Sequence, residues 1–121
     1  MTRDEILKSA PESPWTDIEI PEWGGAFKLR PLSGRQSEEV GLLNAQAKET
    51  GDLLCLRGLS ARVTTWTVCN EQRELLFRPA DADTLTDKHF EICTRVYVAV
   101  LIANRLSEGA AAAAVEDAEK N

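Results

Sequence analysis

The sequence is poor in the residues that enzymes most often use for catalysis. Its 121 residues contain one histidine, His89. A catalytic triad would need this imidazole oriented by a carboxylate and facing a nucleophile. Asp87, Ser60 and Ser107 show no context typical of such a site. The sequence therefore favours a protein without a catalytic centre over a small hydrolase.

Cysteines are also few, and their arrangement is not that of a metal or redox site. Cys55, Cys69 and Cys93 are odd in number and widely spaced, and neither a CxxC motif nor a paired histidine accompanies them. Apolar neighbours flank each one in the sequence. We interpret them as small buried hydrophobic residues in a reducing cytosol, with a zinc or redox site as the less favoured alternative.

The chain also lacks dense basic runs and long hydrophobic runs. Its net charge is −6, and counterion-release binding to nucleic acid requires clustered Lys and Arg. The longest apolar run, VYVAVLIA at 96–103, is far shorter than the ~20 residues that span a bilayer. The N-terminus has no apolar core of a signal peptide. We expect a cytoplasmic protein that binds neither nucleic acid nor membrane.

Neither a metal loop nor a phosphate loop is evident, so no cofactor is predicted. The acidic string from Asp81 to Glu91 fails as an EF-hand loop, because Thr86 and Ile92 would occupy the positions of the required glycine and glutamate. The glycines of "WGG" lead into an alternating, strand-like run, whereas a P-loop leads from a strand into a helix.

What the sequence does contain first is a β-hairpin signal at 15–31. WTDIEI and AFKLRP alternate apolar and charged residues, which is typical of half-buried strands. PEWGG lies between them and predicts a four-residue loop at 22–25. The register that gives one apolar face pairs Ile20 with Phe27, Ile18 with Leu29, Glu19 with Lys28 and Asp17 with Arg30.

Trp23 at the tip of this hairpin has two interpretations that the sequence leaves open. A tryptophan at a hairpin tip either folds back on its own chain or offers an anchor to a partner.

Three helices are predicted after the hairpin. Ser33 and Gln36 form a capping-box pattern that starts a helix at about 34–48. A second helix is predicted at 53–70 from apolar residues at three- and four-residue spacing, although VTTWTV favours strand in its second half. We chose helix because a strand there would have no obvious partner. The third and clearest helix, at 86–107, has a stripe that includes Phe90 and Cys93, and its middle is apolar almost all round. It is either a central helix or part of a subunit interface.

These elements predict an α+β fold, mainly α, with an N-terminal β-hairpin followed by about three to four helices in a single domain at 15–107. Residues 1–14 are expected to form a mobile arm, in which Thr2 and Glu5 can cap a short helical turn. Residues 108–121 are rich in alanine and acidic residues and are expected to be a flexible tail, because a short alanine-rich peptide is only marginally helical.

The chain as a whole resembles the tail assembly chaperones of long-tailed bacteriophages. The resemblance rests on the blocks IEIPEWGGAFKLRPLSGRQSEE at 18–39 and LSARVTTWTVCNEQRELLF at 59–77, on a D-A-D-T-L connector before a long helix, and on a short Ala/Glu/Lys/Asn ending. It implies a non-enzymatic protein of the bacterial host cytoplasm that binds the tape measure protein. Such a protein would help tail tube subunits assemble and would not remain in the virion.

The resemblance also implies a ribosomal frameshift. Members of the family commonly exist in two lengths through a −1 frameshift, and the ending "EKN" is compatible with a slippery A-rich heptamer in the gene. The alternative function is a small structural tail completion or head–tail connector protein of the virion.

A chaperone of this kind needs apolar surface, multiplied by self-association, so we expect a homo-oligomer. The hairpin or the helix faces would form the subunit contact. The predicted partner-binding residues are Trp23, Phe27, Leu29, Leu56, Leu59, Tyr97 and Val100.

Overall fold

An antiparallel three-stranded sheet and four helices make up the part of the chain that the computed structural model describes, residues 1–9 and 14–106. This is the α+β, mainly helical fold that the sequence predicts. The strand order is β1-β2-β3, with β2 in the centre. In chain order the elements are α1 (Arg3–Lys8), β1 (Thr16–Ile20), β2 (Gly25–Leu29), α2 (Gly34–Thr50), α3 (Leu59–Thr67), β3 (Val68–Cys69) and α4 (Ala82–Ala103).

The hairpin forms as predicted, but its predicted register was wrong by two residues. Ile18 lies opposite Phe27, and Ile20 lies opposite Gly25. The cause is the turn: Pro21–Trp23 forms a 3-10 turn, and Gly24 closes it with φ +91°, so Gly25 already belongs to β2. A shift of two residues keeps the same side chains on each face, because side chains alternate with a period of two.

The charged pairs on the outer face change with the register. The side chain of Lys28 donates to Oδ1 of Asp17 at 3.0 Å, directly across the ladder. The predicted pairs of Glu19 with Lys28 and of Asp17 with Arg30 do not lie opposite each other. Arg30 falls beyond the end of β2, and its backbone N–H instead donates to the carbonyl of Thr67 at 2.8 Å.

The first predicted helix is confirmed and runs slightly further, as α2. Ser33 Oγ accepts from the backbone N–H of Gln36 at 3.1 Å, and the side-chain oxygen of Gln36 accepts from the N–H of Ser33 at 3.0 Å. This reciprocal pair satisfies two of the donors that a helix start leaves free. The helix ends at Gly51, whose φ of +72° is accessible to glycine at little cost.

The prediction of one helix over 53–70 was wrong. Leu53–Leu56 forms a 3-10 turn, and Gly58, at φ +73°, separates it from α3. After α3 the chain becomes extended as β3, in which Val68 lies opposite Leu29. The strand therefore has a partner in β2, which sequence spacing did not reveal.

Helix α4 starts earlier than predicted and is bent. It begins at Ala82 instead of residue 86, and its last helical residue is Ala103. His89 has φ −135° and ψ 35°, which are not helical values, so the helix is kinked there. Residue 107 and the predicted tail at 108–121 lie outside the described residues, as do residues 10–13 of the predicted arm. Helix α1 begins with the predicted Thr2 cap, whose Oγ accepts from the N–H of Glu5 at 3.2 Å.

The core lies between α4, α3 and the inner face of the sheet. Its main buried side chains are Ile20, Leu29, Leu32, Val40, Leu59, Val63, Val68, Ile92, Val96 and Val100. Three threonines of α3 are also buried, and each hydroxyl donates to a carbonyl of its own helix, so their burial leaves no hydroxyl unsatisfied. Asn104 joins α4 to the segment before α2, since its Oδ1 accepts from the N–H of Leu32 at 3.2 Å.

Candidate partner-binding surfaces

The seven residues predicted to bind partners do not form one surface. Leu29, Leu59 and Val100 are buried, with 1–2% of each residue exposed. The structure therefore does not offer these three to a partner. Strand and helix spacing identified them as apolar-face residues, but spacing does not tell whether the chain itself covers that face. The other four, Trp23, Phe27, Leu56 and Tyr97, are half-buried and pack against the core.

Trp23 folds back onto its own chain, the first of its two interpretations. Its ring makes edge contacts with Phe27 at a centroid distance of 6.1 Å, with Phe77 at 5.4 Å and with His89 at 5.6 Å. Its indole N–H donates to Nδ1 of His89 at 3.4 Å. The single histidine of the chain thus contributes to packing, at the kink of α4, and connects the hairpin tip to the long helix.

A shallow apolar pocket lies beside this tryptophan. Its volume is about 300 Å³, and it is open to solvent. Trp23, Phe27, Leu76, Phe77, Leu85 and His89 line it. Few polar groups face the opening, so the pocket suits an apolar side chain of another polypeptide better than a polar metabolite. Sequence patterns did not reveal this pocket, because its lining comes from the hairpin, the connector before α4 and α4 itself.

A second apolar surface runs along the outside of α4. Phe90, Val98 and Ile102 are 64%, 47% and 59% exposed. With the half-buried Thr94 they recur every four residues and form a continuous row, which we call the outer row. The sequence had grouped Phe90 and Cys93 on one stripe, as part of either a central helix or a subunit interface. The structure separates the two residues: the helix buries Ile92, Cys93, Val96 and Val100, and Phe90 lies outside that arc.

Three further exposed leucines lie on α2 and on the turn that follows it. Leu42, Leu53 and Leu54 are 63%, 68% and 72% exposed. The predicted helix over 53–70 would have placed the last two within a helix. In the structure they belong to the 3-10 turn that follows α2, and both are exposed there.

Two ion pairs connect different elements of the fold near these surfaces. Arg95 of α4 forms an ion pair with Glu22 of the hairpin turn, and Arg62 of α3 pairs with Glu39 of α2 at 3.0 Å. All four side chains are substantially solvent-exposed, so such pairs orient elements more than they stabilise them.

The described residues offer little chemistry beyond apolar contact. Burial raises the pKa of the Cys93 thiol, an effect that a hydrogen bond with Thr64 partly offsets. Burial likewise raises the pKa of Cys69, against the opposing charge of Arg30. Both thiols are therefore held in the unreactive neutral form. In residues 1–9 and 14–106, no three His, Cys, Asp or Glu side chains are grouped so that they could hold a metal ion. In the same ranges, no helix is long and apolar enough to cross a membrane.

Comparison with known proteins gives one informative result. No protein-family model and no curated protein matches the chain. Among solved structures, the chain is similar to the tail assembly chaperone of bacteriophage HK97, with a TM-score of 0.51 and 15% sequence identity. The similarity covers 87% of this chain and 92% of that protein. Identity at this level supports a statement about fold, and the near-complete coverage of both chains shows that the whole arrangement is shared. The chain therefore has a fold like that of a bacteriophage tail assembly chaperone.

Proposed function

We propose that this protein is a phage tail assembly chaperone. It binds the tape measure protein in the cytoplasm of the infected host, keeps that chain available for assembly and promotes the formation of the tail tube around it. The single observation that supports this most strongly is the shared fold, which extends over almost the whole of both proteins.

The surface chemistry fits this role. A client that is a long amphipathic helix is recognised by an apolar groove or pocket that receives side chains at helical spacing. The pocket beside Trp23 is of that kind, with aromatic walls and a volume near that of one or two large side chains. We propose that Trp23, Phe27 and Leu76 contact the client, and that the partly exposed Leu56 and Tyr97 extend the contact. Leu29, Leu59 and Val100 are left out because they are buried.

Self-association is part of the proposal. Each pocket is small, so a single contact with a client would be weak. Several copies on one long client would raise the overall affinity through effective concentration, without any new contact.

The test is co-expression with the candidate tape measure protein, followed by affinity purification. We expect the two chains to co-purify. Leu76→Asp places a carboxylate in the pocket at a side chain that is 42% exposed, and we expect it to weaken co-purification at least tenfold. Leu54→Asp is the matched control, since it makes the same change at an exposed leucine outside the pocket. Circular dichroism of both variants establishes that they fold.

Purified phage particles distinguish the proposal from its alternative. A chaperone should be absent from them, whereas a tail completion or head–tail connector protein should be present at a fixed copy number. Failure to co-purify with the tape measure protein, together with presence in particles, would replace the proposal by the connector function.

The proposed frameshift is tested on the gene. A slippery heptamer at the codons for the last residues and an overlapping reading frame are expected, and mass spectrometry of infected cells should detect a longer product. If the gene has neither, this element of the proposal is wrong, while the binding function stands on its own test.

A further inference from the structure

Only two of the residues that line the pocket beside Trp23 have polar side-chain groups. These are Trp23, through its indole N–H, and His89, through the two nitrogens of its imidazole. The remaining lining residues are Phe27, Leu76, Phe77 and Leu85. A group that enters the pocket therefore meets apolar walls, and only Trp23 and His89 have side chains that can form a hydrogen bond with it.

The contact between these two side chains leaves one hydrogen-bonding group open. The indole N–H of Trp23 donates to Nδ1 of His89 at 3.4 Å, so Nδ1 is an acceptor. When one nitrogen of a neutral imidazole accepts, the other carries the proton, so His89 is in the Nε2–H form. In the part of the chain that the structure describes, no group accepts a hydrogen bond from Nε2. His89 is only half-buried, and the open group beside the pocket is thus a donor.

A tyrosine side chain matches these properties. Its ring packs edge-to-face or offset-stacked against aromatic walls, which Trp23, Phe27 and Phe77 supply here. Its hydroxyl oxygen accepts hydrogen bonds and so suits the Nε2–H of His89. A phenylalanine or leucine side chain would leave this N–H without a partner and without its water, which lowers the affinity. A carboxylate would lose its hydration in an apolar pocket, at a larger cost.

We propose that the pocket beside Trp23 takes a tyrosine side chain of the client, and that His89 selects it by donating from Nε2 to the hydroxyl oxygen. The inference rests on the proposed function, because the client supplies the side chain, and it deepens that function by naming the residue type that is recognised. His89 determines the specificity of the pocket. Trp23 positions the donor, because its N–H fixes which imidazole nitrogen carries the proton.

The first experiment observes the proton on the imidazole by nuclear magnetic resonance. His89 is the single histidine of the chain, so its ring gives one set of signals in a long-range proton–nitrogen correlation spectrum. At mildly alkaline pH we expect an unprotonated Nδ1 and a protonated Nε2. Trp23→Phe lacks the indole N–H and should raise the share of the Nδ1–H form. A share of that form in the parent chain as high as in Trp23→Phe would overturn the inference.

The second experiment titrates the full chain with two probes, p-cresol and toluene, which are the side chains of tyrosine and phenylalanine. Toluene is the more hydrophobic probe, so an apolar pocket without a donor prefers it. We expect both to bind in the millimolar range, since a single ring makes few contacts. p-Cresol should bind about fivefold more tightly than toluene, because it alone pairs with the donor. It should also change the Nε2 signal of His89 more than toluene does.

Substitutions in the pocket then identify the donor. His89→Phe alone would free the indole N–H of Trp23 for p-cresol, so this change is made in the Trp23→Phe variant. Trp23→Phe keeps the imidazole and should still prefer p-cresol, whereas the double variant has no polar side chain in the pocket and should prefer toluene. Leu76→Ala is the matched control, because it removes apolar wall and should weaken both probes without changing their ratio. Circular dichroism establishes that each variant folds.

Every outcome decides for or against the inference. It is overturned if toluene binds the parent chain as tightly as p-cresol, if neither probe binds at the pocket, or if the folded double variant still prefers p-cresol. The two measurements on the parent chain decide by themselves where a variant does not fold. They use the protein alone, so they are independent of the co-purification test. If the probes behave as expected but the tape measure protein does not co-purify, the proposed function fails and the preference of the pocket stands.

Discussion

Replacement of Trp23 by alanine tests whether the hairpin tip is an internal anchor of the fold. The change removes two edge contacts, with Phe27 and Phe77, each worth about 0.5–1.5 kcal/mol. It also removes the hydrogen bond to His89, worth about 1 kcal/mol. The sum is about 2–4 kcal/mol. It extends from below the ~3–5 kcal/mol range typical of large aromatic-to-alanine changes in cores into the lower half of that range, as expected for a half-buried ring.

The assay is urea denaturation followed by far-ultraviolet circular dichroism, with a thermal scan in parallel. At about 4 °C per kcal/mol for a chain of this size, Trp23→Ala should lower the melting temperature by about 8–16 °C. Trp23→Phe keeps a ring but loses the N–H, so it should cost only about 1 kcal/mol. Leu42→Ala, at an exposed position, should stay within about 0.5 kcal/mol of the parent. If Trp23→Ala were as stable as that control, the fold-back of the tip would be refuted.

Three further substitutions or conditions probe the fold. Ser33→Ala should cost about 1 kcal/mol in the free energy of unfolding by removing the cap of α2, whereas Ser37→Ala, inside that helix, should be near neutral; urea midpoints of the two variants decide this. Asn104→Ala should cost about 1–3 kcal/mol in the free energy of unfolding, because it leaves the N–H of Leu32 without its acceptor. The Leu32 amide should then exchange its hydrogen faster than in the parent chain, and an unchanged exchange rate would contradict the expectation. The two buried thiols should react with a thiol reagent only on unfolding, and stability should fall as the pH rises past about 9. Burial raises the pKa of both thiols in the folded chain, so the thiols of the unfolded chain lose their protons at a lower pH, and this favours unfolding as the pH rises. Urea midpoints at pH 8 and 10 measure the difference in stability.

The hairpin shows how far local patterns determine structure. The alternation of apolar and charged residues correctly assigned which side chains of β1 and β2 face the core, because successive side chains of a strand point to opposite faces of the sheet. It did not determine the register, since the true pairing and the predicted one place the same residues on the same faces. The difference was decided by the 3-10 turn at Pro21–Trp23, whose geometry is not encoded in alternation.

The segment 53–70 shows what depends on tertiary contacts. Of the β-branched cluster VTTWTV at 63–68, only Val68 lies in β3, and the other residues belong to α3. The strand was not predicted because its partner was not visible in the sequence. That partner is β2, almost 40 residues earlier in the chain. Gly58 was also available as a signal, since a glycine before a periodic run can begin a helix in the left-handed conformation.

The candidate surfaces were the least predictable part. An apolar residue at helical spacing belongs either to the core or to an interface, and only the packing of the whole chain decides between the two. Val100 and Leu59 were buried by α3 and α4 meeting each other. Phe90, on the same helix as Val100, was left outside.

The central position of β2 leaves one long side of the sheet open. Within the described ranges β1 pairs only with β2, so its other edge presents backbone groups to which a foreign strand could add. Two features work against such addition: the edge is only five residues long, and Asp17 and Glu19 place negative charge along it. The short length and the negative charge of this edge would thus oppose the edge-to-edge strand pairing from which fibrils grow.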